Sequence, residues 1–181
     1  MDPSVLDSAP LQHYATLARR YCTLIESHRS HRLREFLLET ESLLPSLYQA
    51  ATQLPEVEPA TSETPPESTS AEGFGQLLSS LSTFLGDHDP YREIFDPSDP
   101  QDREPVQGSL ADDLTEIHHD VSAGLALLSS APGIAPADIA WQWRFDFTFH
   151  WGRHAASALR VINTLLHSHY VVNEDPRGAD A

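Results

Sequence analysis

Between Ser109 and Leu128 the large apolar side chains fall at Leu110, Leu114, Ile117, Val121, Leu125 and Leu128. Steps of three and four return to one side of a 3.6-residue helix and to no single face of a strand, so this segment has one regular form in which to bury them. Ser109 and Asp112 open the helix, and Pro132-Gly133 stop it. The same spacing recurs upstream. Leu11, Tyr14, Ala18, Tyr21 and Ile25 make a stripe over 8–28, with Ser8 as a candidate N-cap and Pro10 in the first turn. Leu33, Phe36, Leu37, Leu43, Leu44, Leu47, Ala51 and Leu54 make another over 31–54, where Pro45 predicts a kink or break. A shorter helix follows Thr69 and Glu72, which are spaced as a capping box. Phe74, Leu77, Leu78, Leu81, Phe84 and Leu85 point inward there, and Gly86 is the natural stop.

The last periodic segment is ambiguous. Ile139, Trp141, Trp143, Phe145, Phe147, Phe149 and Trp151 alternate with other residues, which matches a strand. Against this, Gln142, Asp146, His150 and Arg153 fall within about 80° of arc on a helix. Ala155, Ala158, Leu159, Ile162, Leu165 and Leu166 then continue with helical spacing. Residues 136–170 therefore read as one long helix, aromatic on most sides and central in the bundle. The fold expected is an all-α bundle of about five helices in one domain spanning 1–181, with an ordered core over about 8–54 and 72–172. Residues 55–71 (PEVEPATSETPPESTSA) hold too little apolar surface to offset their ordering entropy and read as a dispensable disordered linker. Residues 87–107 are acidic and proline-rich, but Tyr91, Ile94 and Phe95 predict an ordered loop pinned to the bundle. Residues 173–181 read as a flexible polar tail.

Composition narrows function by exclusion. All 11 basic residues are arginine, which removes every lysine-dependent chemistry. The formal net charge of -16 argues against a nucleic-acid or membrane partner. No apolar run approaches the ~20 residues of a membrane span. The start lacks a signal peptide, so a cytoplasmic location is expected. Cys22 is the single cysteine, which rules out an internal disulfide, and it reads as a small apolar filler.

Three stretches carry a resemblance: Tyr91-Arg-Glu-Ile-Phe-Asp-Pro97, Ser109-Leu-Ala-Asp-Asp-Leu-Thr-Glu-Ile117, and Trp141-Gln-Trp-Arg-Phe-Asp-Phe147 with His150-Trp151-Gly152. With these motifs the chain resembles, over roughly 15–170, a family of small bacterial proteins known only as a domain of unknown function. The resemblance implies an all-helical domain in a bacterial cytoplasm. It implies no reaction, cofactor or ligand.

Three constellations are candidate sites. Asp113, Glu116 and Asp120 form an acidic edge beside the apolar stripe of 109–130, and Glu116 with His119 makes a Glu-x-x-His pair. His150 and His154 stand one helical turn apart, able to share a metal. Trp151 occupies the place where a zincin needs glutamate, which excludes that class. Together Asp113, Glu116, His119, Asp120, His150 and His154 are the candidate ligands of a divalent metal ion in a hydrolase or oxidase. The simpler reading has no cofactor and treats the acids as a solvated edge offered to a basic protein partner. Arg144 points away from the polar stripe, among aromatics. It predicts a buried ion pair with the acidic edge, costly to break, or an anion-binding pocket. On balance the sequence favours a non-catalytic interaction or regulatory module over the metal-dependent enzyme.

Overall fold

The computed structural model describes residues 8–59, 71–95, 98–130 and 136–168. It is a helical bundle built from α1 (Ala9–Glu26), α2 (Leu33–Thr52), α3 (Ala71–Leu85), α4 (Leu110–Ser130), α5 (Pro136–Asp146) and α6 (Gly152–His167). A single π-helical turn, Phe147–Trp151, joins α5 to α6, so the two form one rod. Short 3₁₀ turns follow α1 and α3. The stripes meet as their spacing demands: α4 lies against α1, α3, α5 and α6, and α2 bridges α1 and α6. Leu110, Leu114, Ile117 and Val121 of α4 are fully buried, while Leu125 and Leu128 complete the stripe from the core's margin. Two polar groups at these seams are satisfied across them. The Tyr21 hydroxyl donates to the Leu114 carbonyl (3.1 Å) and the Trp143 indole N–H donates to that of Val121 (3.1 Å). Cys22 is buried with them, its thiol pushed up to about 12 by desolvation, an inert filler as its position on α1 implied.

The aromatic segment is helical, and the strand-like alternation has a physical reason. It is two stripes, each of period four, interleaved. Ile139, Trp143 and Trp151 are buried, with Phe147 packed against them from the margin. Trp141, Phe145 and Phe149 form the second stripe on the other side; Phe145 is 44% exposed and Phe149 65%. The expectation that the helix is central on most sides is therefore corrected: half of its aromatics face water. The π turn closes through the Gly152 N–H donating to the Phe147 carbonyl, five residues back. A β-carbon at 152 would lie 2.5 Å from that oxygen, so only glycine fits there.

Other expectations change in detail. α2 runs unbroken through Pro45. Gly86 does end α3, with φ of 55°. Residues 87–107 include the start of a small antiparallel ribbon, β1 (Pro90–Glu93) paired with β2 (Val106–Ser109), with Tyr91 opposite Gly108. Tyr91 packs on the core as expected, whereas Phe95 is 72% exposed and pins nothing. The ribbon positions Asp89, a residue the sequence did not single out. Its buried carboxylate accepts from the Ser109 hydroxyl, the Ala111 N–H and the Ser82 hydroxyl, and so caps α4 from outside the helix. At the other break, residues 55–59 are not a free linker: Val57 packs on the core and Glu56 is engaged by Arg144. Thr69 of the expected capping box, most of the 55–71 linker and the 173–181 tail lie outside the described residues.

Candidate functional site

α4 runs beside the π turn and α6, and its acids meet the histidines of both. Asp113, in the first turn of α4, accepts from His154 Nδ1 at Oδ1 (2.8 Å) and from the Tyr91 hydroxyl at Oδ2 (2.7 Å). Two turns along, Asp120 Oδ2 accepts from His150 Nδ1 (2.7 Å), and Glu116 lies 4.0 Å from His150 Nε2. The two imidazoles meet edge to face with centroids 5.0 Å apart. The acidic edge is thus an inter-helix seam. Asp113 is only 4% exposed, which corrects the reading of these acids as a solvated surface.

Around Tyr91 the network continues. Glu93 accepts from the Ser157 hydroxyl (2.9 Å) and from Arg160 (3.4 Å), whose guanidinium lies 5.4 Å from the Tyr91 ring centroid. The ring rests on Gly108; a β-carbon there would overlap it. These groups border a cleft of about 760 Å³ between α3, the ribbon, α4 and α6. Tyr91, Asp113, His154 and Ser157 all reach it, with Asp112 and Arg153 beside them.

Electrostatics follow from burial and pairing. Desolvation raises the Asp113 carboxyl above its usual 3.8, against the lowering effect of its two hydrogen bonds. The bond to Asp113 raises His154 above 6.5, against the lowering effect of burial. Burial and the Asp113 bond push the Tyr91 phenol well above its usual range. Burial raises Asp146, near Asp120 and His150, to about 6. A carboxylate on Nδ1 fixes the imidazole's orientation and strengthens it as a base, and His154 Nε2 makes no hydrogen bond among the described residues. His154 can therefore exchange a proton at the cleft. Among the described residues no nucleophile is poised on it, because the Ser157 hydroxyl is turned to Glu93.

The remaining candidates separate. His119 faces α3, edge-on to Phe74 at 5.7 Å, with Nδ1 buried and unpartnered. Among the described residues no three His, Cys, Asp or Glu side chains form a group able to hold a metal ion. The six proposed ligands fall into two carboxylate–imidazole pairs, with Glu116 at 4.0 Å from the His150 ring, and a separate His119. Arg144 is paired, but not with α4. It donates to the Leu54 carbonyl (2.8 Å) and to Glu56 (2.5 Å), and its side chain is 33% exposed against 82% for Glu56. The buried pair with the acidic edge is thus replaced by a half-exposed one that ties the chain after α2 to α5.

On the opposite side of the rod lies a second feature. Trp141 and Phe145 stack at 5.0 Å, and Phe145 meets Phe149 at 4.9 Å, giving a ladder of three rings. With Glu56, Val57 and Glu58 it borders a shallow depression. The alternating aromatics signalled this ladder in the sequence, although they did not say which stripe faces out.

Among the described residues no helix is long and apolar enough to cross a membrane. A comparison with curated proteins finds no match. Among solved structures, the chain is similar to the crystal structure of protein BF1032 from Bacteroides fragilis. The identity is 22% and the TM-score 0.80, over 91% of this chain and 96% of that one. At that identity the likeness establishes the fold. The family model described as "Domain of unknown function (DUF5063)" matches residues 7–168, nearly the whole described bundle, and the chain belongs to that family.

Proposed function

We propose that this protein is a non-catalytic interaction module of the bacterial cytoplasm. It docks a basic, amphipathic segment of a protein partner onto the ladder of Trp141, Phe145 and Phe149. The observation that carries the reading is the exposure of Phe145 and Phe149, 44% and 65%, in a continuous stack. Exposing apolar surface costs about 25 cal/mol per Å², and contiguous aromatic patches are typical of interface cores. The rim supplies the sign of the partner. Glu58 borders the ladder, where Glu56 and Arg144 already neutralise each other, and the whole chain carries -16. An apolar stripe flanked by Arg or Lys matches both, and its approach is electrostatically steered.

Trp141 is the built-in reporter, since it lies on the ladder while Trp143 and Trp151 are buried. Titration with a model amphipathic Leu/Arg peptide is expected to shift Trp141 emission to the blue. Phe145→Ala with Phe149→Ala abolishes the shift, and the affinity falls steeply with salt. Equal binding of a Leu/Glu peptide, or a double variant that binds as the parent does, overturns the reading.

A further inference from the structure

We propose that the cleft beside Tyr91, Asp113 and His154 binds a small zwitterion built like a free apolar amino acid. This site lies on the α4–α6 side of the bundle and does not depend on the aromatic ladder.

The cleft presents charged groups of both signs, and the charged ends of Arg153 and Asp112 form no hydrogen bond or ion pair among the described residues. Arg153, the second residue of α6, is exposed at its edge and forms no ion pair or hydrogen bond among the described residues. His154 follows it, with Nδ1 committed to Asp113 and Nε2 free among the described residues. In its imidazolium form, which the bond to Asp113 favours, His154 offers an Nε2–H donor at the cleft. A guanidinium beside an imidazolium N–H is a carboxylate receptor. On α4, Asp112 reaches the same cleft, half-buried; its backbone N–H is taken by Ser109, and its carboxylate accepts no hydrogen bond among the described residues, feeling His154 only through its field. A free carboxylate there is a receptor for an ammonium.

The surroundings select between ligand classes. A multiply charged anion would meet Asp112, Asp113 and Glu93 in the same cleft, inside a protein of net charge -16. A simple cation would meet Arg153 and the His154 imidazolium. A molecule carrying one charge of each sign satisfies both sets. Leu78 and Val106 give the cleft an apolar wall for the ligand's side chain. The volume of about 760 Å³ is within the range of small-molecule sites and leaves room for water.

The test is calorimetric titration of the full chain with L-leucine, with isocaproate (the same skeleton without the ammonium) and with isoamylamine (without the carboxylate). Leucine is expected to bind at least tenfold more tightly than either analogue, since each lacks one charge-assisted contact. Arg153→Gln and Asp112→Asn should each weaken leucine at least tenfold at an unchanged melting temperature, because neither side chain bears on the core. The absence of leucine binding at millimolar concentration overturns the proposal. So does isocaproate binding as well as leucine, which would leave an anion site only, or isoamylamine doing so, which would leave a cation site only. Either variant binding like the parent also overturns it.

Discussion

The rod formed by α5, the π turn and α6 has two unlike surfaces. Toward α4 it sets polar groups into a partly buried seam: His150 and His154, their side chains 41% and 24% exposed, are held by the largely buried Asp120 and Asp113. Toward water it displays apolar ones, the Trp141, Phe145 and Phe149 ladder. Each surface inverts the usual assignment of polar to outside and apolar to inside, and the consequences for stability are opposite. Removing a member of a buried polar pair leaves its partners unsatisfied and is costly. Removing a solvent-facing ring costs the fold almost nothing.

Four measurements sharpen or break this contrast. The largest effect is expected for Asp113→Ala, which orphans His154 Nδ1 and leaves the Tyr91 hydroxyl only its long bond to Glu93 (3.4 Å). Urea denaturation should show a loss of about 3 kcal/mol. Asp113→Asn, which still accepts from Tyr91, should lose less. A loss for Asp113→Ala below about 1 kcal/mol would mean the seam is wetter than its burial implies.

Next is the dependence on pH. In the folded chain His154 is raised above 6.5, Asp113 above 3.8 and Asp146 to about 6. A group whose folded value is raised adds stability that is complete below its unfolded value and lost as pH rises through the folded one. Asp113 and Asp146 thus withdraw stability upward from about 3.8, and His154 upward from 6.5. The melting temperature should fall from mildly acidic to mildly alkaline buffer, and His154→Gln should flatten the part above 6.5. A melting temperature that rises over that range would contradict the pairing.

A smaller effect is expected for Arg144→Ala. Its partner Glu56 is 82% exposed, so the pair contributes under about 1 kcal/mol in a thermal or urea melt. The smallest is Phe149→Ala, within about 0.5 kcal/mol of the parent. A large destabilisation there would mean that the ladder is part of the core and would remove the contrast.

How much of this the sequence disclosed depends on the range of the interaction. The α4 stripe was readable because six residues at helical spacing all report one face. Asp113, Asp120, His150 and His154 were readable as a group by residue type. Their pairing was not, because it requires that α4 and α6 be neighbours in a register that sets Asp113 against His154 and Asp120 against His150. Arg144 shows the same limit. Its need for a carboxylate followed from its place among aromatics, yet the choice of Glu56 over the acids of α4 depends on where the chain leaves α2. The β1–β2 ribbon escaped notice because each strand has four residues and little apolar alternation. Asp89 caps α4 from a position 21 residues before the helix begins, beyond the reach of any local capping rule.

The π turn has a consequence for how this chain tolerates change in length. Five residues close a ring that four would close in an α-helix, so α5 and α6 are out of step by one residue, about 100° of rotation. Deleting one residue between Phe147 and Trp151 would restore a uniform helix and turn α5 by that angle relative to α6. Trp143 would then leave its hydrogen bond to Val121, and the outward rings would swing toward neighbouring helices. The segment therefore behaves as a phase-setter. Its outward side chains, Thr148 and Phe149, can vary without cost to the fold, but its length cannot, because that one surplus residue decides which rings meet water and which meet the core.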